Sequence, residues 1–228
     1  MSGAFVVSGS IPEIINNDKG HYKGDLACYA RILLNNAQNI RNPYHNLRHM
    51  FHVPYLCYLA ICYYAQHHPG MISKIQARQL LIAGFFHDFD HPGIMGHDDL
   101  NIERSVRGLD KHILDDDRPY FEVIADLIRP TEFPYTVETD TLSLCGQILR
   151  DADMSQALCT AWLQQVMVGL ASEWSMLPIQ ILRMQPGFLR GLKLHTEWAQ
   201  NMFPQSDIDA KIAEAEALLK IFDISPIE

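Results

Sequence analysis

Two short segments concentrate the groups that hold divalent ions: Tyr44-His45-Asn46-Leu47-Arg48-His49 and, downstream, His87-Asp88-Phe89-Asp90-His91-Pro92-Gly93. Neutral imidazole and carboxylate are zinc ligands, and a carboxylate can also bridge to a harder ion that prefers oxygen and water. His87 and Asp88 supply one of each. Neighbouring helical residues point about 100° apart, so both reach one ion only at a helix end, where the backbone is still turning. His45 and His49 stand four residues apart, the spacing that stacks two side chains on one helical face. His52 continues that face as an extra ligand, an outer partner or a core histidine. Closing a metal shell takes a further carboxylate, and Asp151-Ala152-Asp153 offers two candidates behind the apolar residues Leu142, Leu144, Ile148 and Leu149. Carboxylates in a segment shaped for burial need partners, because an unpaired buried charge is costly.

These groups must be positioned by helices. Residues 73–86 are apolar at Ile75, Leu80, Leu81, Ile82, Phe85 and Phe86, and Pro92-Gly93 stops that helix just past the candidate ligands. Helices are expected near 24–38, 46–66, 73–87, 98–112, 119–128, 138–151, 155–172, 186–202 and 207–221, and strand-like alternation is nearly absent. Breaks fall at Asn42-Pro43, Pro69-Gly70, Pro92-Gly93, Arg129-Pro130 to Pro134 and around Pro178. The expected fold is all-α, a multi-helix bundle with metal ligands drawn from four helices into a central pocket. Tyr55 to Ala65 reads as its central buried helix, and the amphipathic last helix, apolar at Ile212, Leu218, Leu219 and Phe222, as packed on the domain.

Taken in order, Tyr44-His45-Asn46-x-x-His49, His87-Asp88-x-Asp90-His91-Pro92-Gly93 and Ala152-Asp153-Met154-Ser155 resemble the signature segments of the class I 3′,5′-cyclic nucleotide phosphodiesterases, a branch of the HD-domain metal hydrolases. Gln185-Pro186-Gly187-Phe188-Leu189, followed by Trp198-Ala199, resembles the stretch that carries that family's purine-selecting glutamine and base-stacking phenylalanine. The resemblance runs from about residue 40 to about 203. It implies that His49, His87, Asp88 and Asp153 hold a zinc-like ion and that Asp88 bridges to a second, magnesium- or manganese-like ion completed mostly by water. It further implies His45 as general acid, His91 in support of the water shell, Glu103 as an outer glutamate and Val166 as the aliphatic half of a base clamp. Tyr44 and Gln156 join Gln185 and Phe188 among the substrate-contacting positions. Three positions depart from the family: His52 replaces an aspartate, Gly96 an asparagine after the Pro-Gly turn, and Gln156 an asparagine near the base.

The chemistry so implied suits these residue types. A cyclic phosphodiester such as cAMP or cGMP is an anion without a good leaving group, so its hydrolysis needs a nucleophile, charge neutralisation and a proton donor. Paired ions serve the first two needs, and an imidazole, titrating near neutral pH, serves the third. The Gln185 amide both donates and accepts, as a purine edge does, and Phe188 lies about one helical turn on. Pro186 is expected at the first position of its helix.

Composition sets wider bounds. With 228 residues, 48% of them hydrophobic, the chain reads as one domain over 1–228, with 1–22 a loosely ordered beginning, and the resemblance, to a family many of whose members carry regulatory modules, implies a stand-alone catalytic domain of microbial form. A net charge of −9 argues against nucleic acid and against a polybasic membrane contact, while bound divalent ions would reverse the local field for a small anion. Cys28, Cys57, Cys62, Cys145 and Cys159 form no CxxC pair and read as reduced thiols of a cytoplasmic protein. No stretch reaches the roughly 20 apolar residues of a membrane span.

Overall fold

The computed structural model describes residues 26–96 and 98–222; the beginning expected over 1–22 lies outside the described residues. Among the described residues regular structure is entirely helical. In chain order the α-helices are α1 (Leu26–Asn36), α2 (Leu47–His67), α3 (Lys74–Phe86), α4 (Asp98–His112), α5 (Phe121–Ile128), α6 (Leu144–Met154), α7 (Gly169–Glu173), α8 (Pro178–Gly191), α9 (Glu197–Met202) and α10 (Gln205–Ile221).

The central pair is α2 against α3. Their apolar faces bury Met50, Val53, Leu56, Ala60 and Ile61 from α2, and Leu80, Ile82, Ala83 and Phe86 from α3, in a core that α1, α4, α5, α6 and α9 complete. Each fully buried Leu, Ile or Phe of this kind contributes roughly 1.5–3 kcal/mol. Gly84 permits the close approach of the pair, since a Cβ there would stand 3.2 Å from the backbone of Pro54. The helix bearing His49 and the helix leading to His87 are thereby held side by side. Smaller clusters, around Trp162, Val166 and Leu182 and around Ala157, Leu189 and Ile208, tie α8 and α10 to the chain after α6.

Local signals set the helix starts. Asn46 caps α2, its Oδ1 accepting from the Arg48 and His49 amides at 2.8 and 3.4 Å. Ser73 and Gln76 form a reciprocal capping box at α3, and Pro178 opens α8.

Three expected helices are corrected. Residues 138–151 start late, because a 3-10 turn at Thr139–Thr141 precedes α6 and Thr139 Oγ1 accepts from the Arg150 guanidinium at 2.7 Å. Residues 155–172 are not one helix: they comprise a 3-10 turn (Ser155–Leu158), a π-helical turn (Leu163–Val168) and α7. Residues 186–202 divide into α8 and α9, because Asp151 draws the intervening strand-like link in, accepting from the His195 and Thr196 amides. Pro186 consequently lies inside α8 rather than at its start, and leaves the Leu182 carbonyl without the usual amide. On α10 the buried residues are Ile208, Ala215 and Leu219, while Phe222 is exposed.

Candidate metal centre

His49 enters from the first turn of α2, buried at 1% exposure, while His87 and Asp88 follow directly on the last residue of α3. The helix-end position expected for a His-Asp pair is thus present. Asp153 comes from the last turn of α6. His49 Nε2 lies 3.1 Å from Asp88 Oδ2 and 3.0 Å from Asp153 Oδ1, and His87 Nε2 lies 3.3, 3.3 and 3.5 Å from His49 Nε2, Asp88 Oδ2 and Asp153 Oδ1. Ligands held tetrahedrally about 2.0–2.2 Å from one ion stand roughly 3.3–3.6 Å apart, so these separations lie within a few tenths of an ångström of those around a shared ion. Asp88 Oδ2 is buried and makes no hydrogen bond, despite its nearness to both rings. An orphaned carboxylate oxygen facing two imidazoles is what a cation would satisfy. The donor set, two nitrogens and two oxygens, fits a zinc-like ion.

The outer contacts orient these ligands. His87 Nδ1 donates to the Gly84 carbonyl at 2.8 Å, and Ser105 Oγ donates to the His87 carbonyl at 2.6 Å. Asn101 Nδ2 donates to Asp88 Oδ1 at 3.0 Å, and Asn39 Nδ2 donates to the carbonyls of both His45 and Asp88, at 2.8 and 2.9 Å. Asn39, buried at 2% exposure, therefore joins the two motif segments through one amide. Asp90, at φ 60°, accepts from the Gln38 amide at 2.7 Å and serves the turn rather than the ion cluster.

Electrostatics follow from this crowding. Burial pulls the His49 pKa down, but the Asp153 and Asp88 carboxylates together outweigh it and raise the value to about 9. His87 is likewise held well above its ordinary value against its burial, chiefly by Asp88. Burial opposes ionisation of Asp153, yet its bonds to His49 and His87 keep it well below the usual carboxylate range. Without a metal, protons on the rings supply the positive charge that the carboxylates require.

His45 lies one residue before the Asn46 cap and is not on the helix, so the shared helical face expected for His45 and His49 does not exist. Its place is set by Glu173 at the end of α7, which accepts from the Tyr44 and His45 amides at 2.9 and 3.0 Å and pairs with His45 Nδ1. The His45 ring stacks on His91, with centroids 3.6 Å apart and planes 13° apart. His91 Nδ1 accepts from the Gly93 amide at 3.0 Å, and burial with the neighbouring His45 charge lowers its pKa to about 4.

A pocket of 230 Å³ opens over this cluster. Tyr44, His45, His49, Asp88 and Asp153 line it together with Val166, Ile181, Gln185 and Phe188. Gln185 is buried, with its Oε1 unpartnered. Ten of the twelve site residues expected from sequence (Tyr44, His45, His49, His87, Asp88, His91, Asp153, Val166, Gln185 and Phe188) thus lie in this pocket or against its wall.

Two expected residues do not. Glu103 points outward from α4 and pairs with Arg107, both side chains more than half exposed; two residues earlier, Asn101 takes the place beside Asp88. Gln156 does not face the pocket: buried at 2%, it sits behind His49 with its Oε1 2.5 Å from Nδ1. Between the two candidate aspartates the geometry is unequal, since Asp151 is committed to His195 and Thr196 while Asp153 faces the histidines. His52 lies against Cys159, its Nε2 3.4 Å from the sulfur, rather than in the ligand cluster. Sequence reasoning missed Glu173, Asn39 and Asn101. Glu173 carries no spacing signal, as it stands 128 residues from its partner.

No protein-family model, no curated protein and no solved structure matches the chain. Among the described residues, no helix is long and apolar enough to cross a membrane.

Proposed function

We propose that this chain is a metal-dependent hydrolase of 3′,5′-cyclic nucleotides, cAMP or cGMP, on an HD-domain type of helical scaffold. The observation that carries the reading is the convergence of His49, His87, Asp88 and Asp153 at a pocket that His45, Gln185 and Phe188 also line. His49, His87, Asp88 and Asp153 would hold the zinc-like ion, and Asp88 would also serve a magnesium or manganese ion. Such ions, when bound, activate water and neutralise charge on a phosphoryl group.

The remaining work belongs to the chain's own residues. Glu173, pairing with Nδ1 of His45, holds that ring so that its other nitrogen faces the pocket. In the reaction a water oxygen bonds to phosphorus and that water yields a proton to solvent, the bond from phosphorus to the 3′ oxygen breaks, and His45 gives the 3′ oxygen a proton that solvent later restores, leaving a 5′-nucleoside monophosphate. A positioned acid of this type contributes on the order of 10²–10⁴ in rate. His91, kept neutral by burial at neutral pH, packs flat on His45 and fixes the ring's tilt. The unpartnered Gln185 Oε1 offers an acceptor to a purine edge, with Val166 and Phe188 in the same wall for its faces.

The test is release of 5′-AMP and 5′-GMP from cAMP and cGMP by protein loaded with zinc plus magnesium or manganese, beside His45→Ala. Turnover that the variant loses supports the reading. Intact cAMP and cGMP would overturn it in favour of a phosphohydrolase for other nucleotides or of a binding protein without turnover.

A further inference from the structure

The His49 ring meets its carboxylates through Nε2, at 3.0 and 3.1 Å, which leaves Nδ1 to carry the proton when Nε2 is given to an ion. The acceptor for that proton is Gln156 Oε1 at 2.5 Å. A glutamine amide presents oxygen on one side and NH₂ on the other, and turning it over would set its donors against Nδ1–H. Gln156 alone therefore does not fix the direction of the bond. With Nδ1–H facing Gln156 Oε1, the Gln156 Nε2 needs an acceptor of its own, and Gln165 Oε1 supplies it at 2.6 Å.

Gln165 reaches this place from the π-helical turn Leu163–Val168. The adjacent residue, Val166, is buried and lines the substrate pocket, so consecutive residues of one wide turn serve the pocket wall and the rear of the metal cluster. Single π-turns inside helices frequently mark functional sites. On its outer side Gln165 borders a separate groove of 490 Å³, shared with Arg48, so the far end of this amide pair is reachable by water.

We propose that Gln165 is a positioning residue of the metal centre: by accepting from Gln156, it holds the amide that orients His49 toward the ion. The inference rests on the metal-centre reading above and extends it to a residue that touches neither ion nor substrate. Its chemical requirement is an acceptor at Gln165, not an amide. Glu supplies an acceptor and Leu does not, and because Gln165 borders an open groove the added charge of Glu stays accessible to solvent.

The experiment is a zinc titration against a chromophoric chelator, with native protein, Gln165→Leu, Gln165→Glu, Gln156→Leu and the double Leu variant, each first matched to native by circular dichroism. Outer partners of metal-bound histidine typically change metal affinity about 10–100-fold. Gln156→Leu is expected to weaken zinc binding in that range and Gln165→Leu by about tenfold, with Gln165→Glu within about twofold of native. The double variant should bind no more weakly than Gln156→Leu, since Gln165 acts only through Gln156. With cobalt as probe, Gln165→Leu should shift the visible absorption bands and Gln165→Glu should restore them. Native-like zinc affinity in Gln165→Leu, an equal loss in Gln165→Glu, or additive losses in the double variant would overturn the inference while leaving the metal centre standing. Failure of the native protein to bind zinc would overturn both.

Discussion

Loading and stripping zinc tests the metal cluster most directly. An ion that binds only the folded state stabilises it by RT ln(1 + [L]/Kd), about 2.7 kcal/mol at a free concentration one hundred times Kd. For a chain of this size each kcal/mol moves the melting temperature by about 2–4 °C, so the shift should be about 5–11 °C. The assay is scanning calorimetry in zinc buffers, with chelator-treated protein as reference. Proton competition adds a second signature. The folded pKa of His49 is raised from 6.5 to about 9 against its burial by Asp153 and Asp88, so in metal-free protein its stabilising effect is full below about 6.5 and lost as pH rises through about 9. Zinc needs the neutral ring, so the metal-free form loses stability over the window in which zinc affinity grows, by up to about tenfold per pH unit for each proton displaced. The zinc-induced shift should therefore increase from pH 6 to pH 8. Asp153→Ala should abolish most of it. A native shift below about 1 °C, a shift that shrinks as pH rises, or a full shift retained in Asp153→Ala would refute the assignment.

Other outcomes follow from particular contacts. Glu173→Gln should lower turnover of the cyclic nucleotide about 10–100-fold by freeing the His45 ring, while zinc affinity from chelator competition stays within about threefold. Glu103→Ala should leave turnover and zinc content at native levels, because Glu103 pairs with Arg107 on the outer face of α4. Gly108→Ala should cost about 1–3 kcal/mol in guanidinium unfolding, since the added Cβ would stand 2.2 Å from the Phe89 ring. Burial pushes the Cys145 thiol up from 9.0 to about 11, so its stabilising contribution is full below about pH 9 and lost as pH rises to about 11. Replacing Cys145 by Ala should flatten the alkaline fall in stability over that window by about 2–3 kcal/mol, read from denaturant midpoints.

Much of the site was legible because its signals are local. A His-Asp pair at the end of an apolar helix depends on residues within a few positions, and it occurs as read. The choice of Asn101 over Glu103 turned on helical phase: two positions on α4 rotate a side chain by about 200°, from solvent to the cluster. Helix boundaries after residue 138 were misread for a different reason, since Arg150 and Asp151 recruit backbone groups far along the chain and thereby end or delay helices that propensity alone would extend.

The sequence by itself determined the all-helical class, the residue types of the candidate site and most of the residues around the pocket, because side-chain chemistry and helical period are written in short stretches of chain. Only the tertiary structure decided that Asp153 rather than Asp151 faces His49 and His87, that Gln156 stands behind the metal cluster instead of in the pocket, and that Glu173 and Asn39 hold His45 in place. Those assignments are hydrogen bonds between groups as many as 129 residues apart, and such pairings exist only once the core has fixed α2, α3 and α6 side by side and brought α7 to them.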